Sequence, residues 1–377
     1  MTRTITNVLS VCTLALAGVT QPAFSQQADT KTETKAQFVV TELAKELVHP
    51  WGMAFLPNGD LLVTERDGGI RRLNKAGELS PRFTNVPSVE ANNQGGMLDI
   101  AIDPDFETNN TIYFCFSQPG DGGSSSSVAK ATLAGDSLSD VETIFSALPL
   151  VDNGFHFGCR LAFNADKQLF ITLGDRYKYM KEAQNTENHF GTIVRINRDG
   201  SVPSDNPFIN GKAPEIYSYG HRNVQGITIH PETGEVWAME HGPKGGDEVN
   251  LLSKGANYGW PVITYGIDYS GAVISDKTHS EGMEQPVLYW DPSIAPSGMT
   301  FYQGDMFPQW NGDLLVGSLK FTHLRHIEMD GDKPGEQHEY LRDNNARIRD
   351  VEVGPKGAIF LLTDAPNGKV LKLTPAE

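Results

Sequence analysis

The chain carries one pattern of apolar and polar residues six times. Each copy consists of a short strand that alternates apolar and polar residues, a turn with Pro, Asn, Asp or Gly, and a second apolar strand. Period-two alternation is typical of half-buried strands, and the turn residues indicate hairpins. The copies occupy residues 52–65, 98–116, 161–175, 226–240, 298–318 and 350–364.

Strand-rich repeats of this length are typical of propeller blades, so the pattern predicts an all-β, six-bladed β-propeller. No long amphipathic helix pattern separates the copies, which disfavours a barrel with outer helices. A pair of β-sandwiches is the alternative architecture, but it does not require the same hairpin six times. We expect a single propeller domain over residues 37–377.

The propeller hypothesis makes a prediction about position. The first strand of each blade lines the central channel, so residues just before these strands should gather at one mouth of the channel. Each such residue alone is compatible with an ordinary surface position, but together they predict a cationic pocket. They are Gln94, His156, Arg160, Arg222, Asn223, Arg347 and Arg349. Lys320 follows the second strand of its hairpin, so the repeat does not define its place.

The N-terminus has the pattern of a secretory signal peptide over residues 1–25. Arg3 provides the positive charge, residues 8–19 are apolar but too short to span a bilayer, and Ala23 and Ser25 precede the expected cleavage site. Residues 26–36 are predicted to form a polar, disordered leader. We therefore expect a periplasmic or secreted protein that does not insert into the membrane.

Charge and cysteine content narrow the picture further. The 377 residues include 47 acidic and 31 basic ones, for a formal net charge of −16, which argues against nucleic acid or an anionic membrane as partner. Of the three cysteines, Cys12 lies in the predicted signal peptide. An oxidising compartment permits a disulfide between Cys115 and Cys159. Because both lie in or beside strand patterns, we expect buried free thiols.

The candidate chemistry is concentrated around residues 216–261. Glycines and the adjacent Asp247 and Glu248 form a loop whose carbonyls and carboxylates suit calcium, although a solvated hairpin explains each feature singly. His156 has the ordinary pKa of a general base. The basic side chains of the pocket suit a polyanionic ligand. Dinucleotide, Walker, zinc-protease and serine-hydrolase motifs are absent from the sequence.

The insertion at residues 243–297 is rich in aromatic residues. Their faces suit the apolar side of a sugar ring, and packing of the loop onto its scaffold explains each of them equally well. They are Tyr258, Trp260, Tyr265, Tyr269, Tyr289 and Trp290.

The motifs from His49 to Leu373 resemble those of the soluble pyrroloquinoline quinone (PQQ) dependent sugar dehydrogenases, nearest the aldose sugar dehydrogenase branch. The most specific are G-H-R-N-x-Q-G at 220–226, E-H-G-P at 240–243, D-E-x-N at 247–250, N-Y-G-W-P at 257–261, S-L-K at 318–320 and R-x-R-D at 347–350. The family fold is a six-bladed propeller, in agreement with the repeat count.

The resemblance implies oxidation of aldoses at the anomeric carbon to lactones, with hydride transfer to PQQ and an unidentified electron acceptor. His156 would be the catalytic base, and Arg222 with a calcium ion would polarise the quinone carbonyl. The implied PQQ-binding residues are Gln94, Arg222, Asn223, Lys320, Arg347 and Arg349. The implied calcium ligands are the carbonyls of Gly242 and Pro243 for one ion, and Glu248 with the carbonyl of Tyr258 for a second, structural ion.

The sequence departs from the family pattern at positions that concern substrate identity. His241 stands where glucose-oxidising relatives carry an amide, Cys159 stands where a small residue is usual, and residues 289–291 do not match the sugar-contacting aromatics of the glucose branch. The alternative function is a propeller that binds a ligand or protein without catalysis. A calcium-dependent hydrolase or lactonase is disfavoured, because its channel would need several carboxylates where this chain has cations and amides.

Overall fold

A computed structural model describes residues 38–376 together with the backbone of Gln26–Gln27. The predicted signal peptide and most of the predicted leader lie outside the described residues. Within that leader, the backbone of Gln26–Gln27 pairs in parallel with residues 288–289.

The described part of the chain is almost entirely β-structure. Its first twelve strands are β1 (Gln26–Gln27), β2 (Phe38–Leu47), β3 (Pro50–Phe55), β4 (Leu61–Glu65), β5 (Gly69–Leu73), β6 (Met97–Ile102), β7 (Thr111–Gly120), β8 (Gly123–Ala134), β9 (Ser137–Ser146), β10 (Leu161–Phe163), β11 (Leu169–Thr172) and β12 (Thr192–Ile196). The others are β13 (Ile216–Tyr219), β14 (Val224–Ile229), β15 (Val236–Glu240), β16 (Asp247–Leu251), β17 (Leu288–Trp290), β18 (Pro296–Phe301), β19 (Leu314–Ser318), β20 (Leu324–Asp330), β21 (Lys333–Tyr340), β22 (Ile348–Val353), β23 (Ile359–Thr363) and β24 (Gly368–Pro375).

Helical segments are few and short. They are the α-helix α1 (Phe106–Asn109) and the 3₁₀ turns Met180–Gln184, Pro308–Trp310 and Arg342–Asn344. Over residues 38–376, no helix combines the length and the apolar character that a membrane span requires.

The strands form six sheets, antiparallel except for the parallel pairing of β1 with β17, which confirms the predicted six-bladed propeller. In chain order the blades are β3–β5, β6–β9, β10–β13, β14–β17, β18–β21 and β22–β24. The N-terminal strand β2 pairs antiparallel with β24 and completes the last blade. The beginning of the domain therefore closes the ring onto its end through backbone hydrogen bonds. In each blade, the predicted hairpin forms the two innermost strands of the sheet.

The inner strands β3, β6, β10, β14, β18 and β22 each contact the inner strand of the next blade, so they surround the channel as predicted. Separate apolar cores fill the spaces between neighbouring blades. Between the second and third blades, for example, Val128 and Phe145 pack with Leu169 and Val194. Each blade thus buries its apolar faces against its neighbours, and closure of the ring supplies the core between the last blade and the first.

A buried guanidinium occupies the centre of the ring of inner strands. Nη1 of Arg160 lies 2.8 Å from Asp350 on β22 and 3.2 Å from Asp99 on β6, and its Cζ lies 4.1 Å above the ring of Trp51 on β3. Burial raises the pKa of both carboxyl groups, that of Asp350 to about 7, and the charge of Arg160 offsets this only in part. Arg160, grouped with the mouth residues by its sequence position, instead links three inner strands inside the channel.

Cys115 and Cys159 form a disulfide, so the prediction of two buried free thiols is wrong. Cys115 lies on β7 of the second blade, and Cys159 directly precedes β10 of the third. Both are fully buried in the core between these blades. Their sequence separation of 44 hides the fact that neighbouring blades bring the two Cα atoms to 5.7 Å, a distance that a disulfide bridges.

We expect replacement of both Cys115 and Cys159 by Ala to lower the free energy of unfolding. The crosslink closes a loop with a sequence separation of 44. Its removal restores conformational entropy to the unfolded chain, worth up to about 4 kcal/mol. Denaturant unfolding with and without reductant measures the difference, and reductant should destabilise only the wild type. Equal unfolding midpoints for the two proteins would contradict a stabilising role of the disulfide.

Candidate active site

One contact repeats in all six blades and shapes the mouth of the channel. A polar side chain near the end of the second strand hydrogen-bonds to the segment that begins the first strand. Four of these side chains are carboxylates and two are hydroxyls: Glu65, Ser117, Asp175, Glu240, Ser318 and Asp364. The repeat therefore places a hydrogen-bonding anchor directly against four predicted site residues: His156, Arg222, Arg347 and Arg349.

In the third blade this anchor orients His156. Nδ1 of His156 lies 2.7 Å from Oδ1 of Asp175, whose Oδ2 accepts a hydrogen bond of 2.8 Å from Nε1 of Trp260. Burial opposes ionisation of Asp175, but its hydrogen bond to His156 and the charge of Arg222 outweigh burial and lower its pKa. An ionised carboxylate accepts only, so Nδ1 carries the proton and Nε2 presents its lone pair.

The ring of His156 is prepared to accept a proton. Burial and the positive charge of Arg222 lower its pKa, and the contact with Asp175 offsets this only in part. Its Nε2 makes no hydrogen bond to any described residue. A neutral imidazole with an unengaged Nε2, held by a carboxylate at Nδ1, is the arrangement that general-base catalysis requires.

The loop that carries His156 is clamped from two sides. Nε of Arg176 donates to the carbonyl of Phe155 at 3.0 Å, its Nη2 donates to the carbonyl of Asn153, and its guanidinium lies 3.9 Å from the ring centroid of Phe157. Gln94, from the neighbouring blade, accepts the backbone N–H of His156 at its Oε1 at 2.8 Å. These contacts fix the backbone of the base.

Arg222 lies against the same tryptophan as the His156–Asp175 pair. Its Cζ is 5.4 Å from the ring centroid of Trp260. Its Nη1 donates to the carbonyls of His241 at 3.0 Å and Gly242 at 2.7 Å, and its backbone N–H donates to Glu240 at 2.6 Å. The carbonyl of Gly242, predicted as a calcium ligand, thus accepts a hydrogen bond from Arg222. Pro243 follows it and is buried.

The predicted cofactor-binding residues of two blades form a continuous set of contacts. Asp364 binds Nη2 of both Arg349 and Arg347, at 2.9 and 3.2 Å. Nη1 of Arg349 lies 3.3 Å from Oε1 of Gln225, whose Nε2 lies 3.2 Å from Oδ1 of Asn223. Nε of Arg349 is buried and has no hydrogen-bond partner among the described residues.

Lys320 joins this set through the backbone. Nη1 of Arg347 donates to the carbonyl of Leu319, and the exposed Lys320 places its Nζ 5.0 Å from the ring centroid of Phe321. Among the described residues, no carboxylate forms an ion pair with Lys320. The carboxylate of Asp364 therefore faces more cations than it can neutralise, and this side of the mouth is positively charged.

A hollow next to the predicted cofactor site is lined by Arg222 and Trp260. Glu240, Glu248 and Tyr258 also line it. Nδ2 of Asn250 lies 3.4 Å from Glu240 and 3.3 Å from Glu248, while its Oδ1 is buried without a partner. Burial and the adjacent charge of Glu240 raise the pKa of Glu248 well above its ordinary value. Over residues 38–376, no three His, Cys, Asp or Glu side chains form a metal-binding group by themselves.

His241 contributes a neutral ring beside the cations. Its Nε2–H donates to the carbonyl of Pro296 at 2.6 Å, and a carbonyl only accepts, so Nδ1 is unprotonated. Burial, together with the charges of Arg222 and Arg349, lowers the pKa of His241 to about 3. The residue that departs from the amide of glucose-oxidising relatives is therefore uncharged.

The structure brings most of the sequence candidates into one region. His156, Gln94 and Arg222 meet around Trp260, and the others connect to them through Gln225 or through the loop after β15. Sequence reasoning gave no role to Asp175 or Gln225, and it offered Trp260 only as a possible sugar contact. The recurrent acidic residue that ends the second strand of four hairpins was a signal that could have identified Asp175.

The comparisons with known proteins agree with this geometry. A family model described as Glucose / Sorbosone dehydrogenase matches residues 47–372. Aldose sugar dehydrogenase YliI of Escherichia coli is 42% identical over 344 residues, which cover 89% of this chain and 92% of the relative. Quinoprotein glucose dehydrogenase B of Acinetobacter calcoaceticus is 27% identical over 430 residues, with coverage of 90% and 87%.

Solved structures extend the likeness to three dimensions. The PQQ-bound form of aldose sugar dehydrogenase from Streptomyces coelicolor superimposes with a TM-score of 0.73 at 27% identity, covering 90% of this chain and 99% of that one. Because the family model spans nearly the whole propeller and the E. coli relative aligns over almost its full length, the chain belongs to the glucose/sorbosone dehydrogenase family.

Proposed function

We propose that the protein oxidises aldose sugars at the anomeric carbon to lactones and passes the hydride to bound PQQ. The observation that carries the proposal is the His156–Asp175 pair, in which a buried, neutral imidazole keeps Nε2 unengaged beside Arg222. The names of the E. coli, A. calcoaceticus and S. coelicolor relatives support the same reaction and cofactor.

The residues present fit a polyanionic quinone. PQQ carries several carboxylates. Arg347 and Arg349 share one carboxylate partner, Asp364, and Lys320 has no carboxylate partner among the described residues. The buried Nε of Arg349 lacks a partner among the described residues, which is costly unless a ligand supplies an acceptor. We propose that these three cations, with Gln94, Arg222 and Asn223, hold PQQ.

The reaction divides between the protein and the cofactor. Bound PQQ supplies a two-electron acceptor for the hydride that leaves the anomeric carbon. His156 takes the proton of the anomeric hydroxyl at Nε2, and the bond from carbon to oxygen becomes a carbonyl. Asp175 stabilises the imidazolium formed, in the manner of an oriented carboxylate–histidine pair. Arg222 places positive charge where a quinone oxygen gains negative charge.

We further propose that calcium binds at two places. Glu248 and the carbonyl of Tyr258 would hold a structural ion, because the hollow contains two close carboxylates and the buried, unpartnered Oδ1 of Asn250. A cation there removes the repulsion and supplies the missing contact, and calcium prefers such oxygens. The carbonyls of Gly242 and Pro243 would hold the other ion, which would polarise the quinone carbonyl together with Arg222.

We propose that the protein acts after export, in the periplasm or outside the cell. The disulfide between Cys115 and Cys159 supports this location, because disulfides persist in oxidising compartments. The signal-peptide pattern of residues 1–25 agrees with it.

Reconstitution tests the proposed function directly. We expect the purified protein to reduce a dye acceptor with aldoses only when both PQQ and calcium are added, and to produce the corresponding lactones. The measurement is dye absorbance across hexoses, pentoses and disaccharides, with lactone identified by mass spectrometry. Absence of dye reduction with every sugar would contradict the enzyme and favour the non-catalytic, ligand-binding propeller.

Replacement of His156 by Gln should leave PQQ binding intact and lower kcat by about 10²–10⁴-fold, the usual contribution of a general base. Because burial and Arg222 lower the pKa of His156, the base stays deprotonated below the ordinary pKa of 6.5. The acid limb of kcat/KM in the wild type should therefore lie below that value. PQQ absorbance titration provides the control for binding. Unchanged turnover of the variant, or an acid limb at higher pH, would contradict this role.

Removal of calcium should affect the thermal stability of Glu248→Gln less than that of the wild type. In chelator the variant should be at least as stable as the wild type, because it lacks the buried charge next to Glu240. With calcium at about 100 times its dissociation constant, the wild type should gain about 2.7 kcal/mol and the variant much less. Thermal unfolding measures both. Glu107→Gln, at an exposed helix position, is the control. An equal calcium response of Glu248→Gln and wild type would exclude Glu248 as a ligand.

A further inference from the structure

Five of the six aromatic residues that the sequence offered for sugar contact are engaged elsewhere. Tyr258, Trp260 and Trp290 are only 4%, 7% and 1% exposed. Tyr265 and Tyr289 stack on each other with their ring centroids 3.9 Å apart. The insertion at residues 243–297 thus uses these rings mainly to pack itself onto the propeller.

Exposed aromatic rings beside the base come from two other segments. Tyr177 is 49% exposed, and its ring centroid lies 5.3 Å from that of His156 with the planes at 89°. Phe155 is 39% exposed and lies 5.7 Å from Tyr177. We call Phe155 and Tyr177 the aromatic wall. Because this apolar surface lies next to the proposed catalytic base, we expect it to contact an apolar part of the substrate.

The wall is held rigidly by the groups that hold the base. The backbone N–H of Tyr177 donates to Oδ1 of Asp175 at 2.7 Å, and Nδ1 of His156 binds the same oxygen. Tyr177 has φ of +63° and Arg176 has φ of +52°, a conformation that bulky residues rarely adopt. Such backbone persists where surrounding contacts impose it, and it concentrates at functional sites.

The position of Tyr177 relative to His156 indicates which part of the substrate would contact the tyrosine ring. A sugar whose anomeric hydroxyl reaches Nε2 of His156 has its ring within about one ring width of Tyr177. Pyranose rings have a face of C–H groups, and an aromatic ring binds such a face without demanding hydrogen bonds. We propose that Tyr177, backed by Phe155, is the specificity-determining surface for the C–H face of an aldopyranose. This inference rests on the proposed function.

The test compares variants of the PQQ- and calcium-loaded protein. Tyr177→Ala should raise KM for glucose and xylose by about tenfold, the ratio expected for loss of about 1.4 kcal/mol of ring contact. Because the contact exists in both ground and transition states, kcat should stay within about twofold. Tyr177→Phe should behave as the wild type, since the proposal uses the ring and not the hydroxyl.

The matched comparison is Tyr269→Ala, which removes a ring that is 62% exposed in the aromatic insertion. We expect it to leave KM unchanged. A KM increase for Tyr269→Ala with none for Tyr177→Ala would overturn the proposal. Parallel loss of kcat and of the PQQ absorbance titration in both Tyr177→Ala and Tyr177→Leu would also overturn it, because that result indicates a structural role only.

Sugar binding without turnover separates this inference from the proposed function. Saturation-transfer NMR of glucose on the PQQ-loaded protein, without an electron acceptor, should show weaker transfer for Tyr177→Ala than for wild type. If no sugar is oxidised but this difference is present, the proposed reaction fails and the aromatic wall stands. If sugars are oxidised and the transfer is equal, the reaction stands and the aromatic wall fails.

Discussion

The buried guanidinium of Arg160 is the contact on which the centre of this propeller depends. It connects three inner strands, β6, β14 and β22, through Asp99, Asp350 and the carbonyls of Gln225 and Arg349. Charges this deep are stable only when fully paired and hydrogen-bonded, so each partner is held in one position. Arg349 belongs at the same time to the predicted cofactor site, and Gln225 contacts it there. The group that stabilises the axis of the fold therefore also positions the mouth of the channel.

The chemistry of the site follows from a structural device that all the blades share. In each blade, a polar side chain near the end of the second strand bonds to the segment that begins the first. In the first blade Glu65 accepts the backbone N–H of Val48 and pairs with Arg82. In the third blade the same position, Asp175, holds an imidazole, and in the sixth, Asp364 holds two guanidinium groups. A contact that stabilises the fold can thus acquire a catalytic or ligand-binding role when the group bonded to this polar side chain changes from a backbone N–H to a functional side chain.

The electrostatics of the mouth differ from those of the whole protein. The chain has a formal net charge of −16, yet Arg222, Arg347, Arg349 and Lys320 lie on one side of the mouth with few carboxylates. Their field favours an anionic cofactor. Burial and the charge of Arg222 lower the pKa of both His156 and His241, and Arg349 adds to this effect at His241, so both rings stay neutral. Glu240 and Glu248, which line the hollow next to Arg222, repel each other, and a bound calcium ion would offset this repulsion. The basic side chains and these two carboxylates therefore form separate clusters, and the proposed PQQ and calcium would neutralise one cluster each.

The sequence by itself determined the blades, because strand alternation and turn residues are local properties that tertiary contacts did not override. It also indicated where the mouth of the channel lies, since position relative to a blade's first strand defines it. Tertiary structure alone decided which residues meet. The disulfide between Cys115 and Cys159, the burial of Arg160 and the joint hold of Asp175 on His156 and Trp260 all depend on contacts between different blades. Closure joins Arg160 to the carbonyl of Arg349 across a separation of 189 positions, and no local pattern records such a contact.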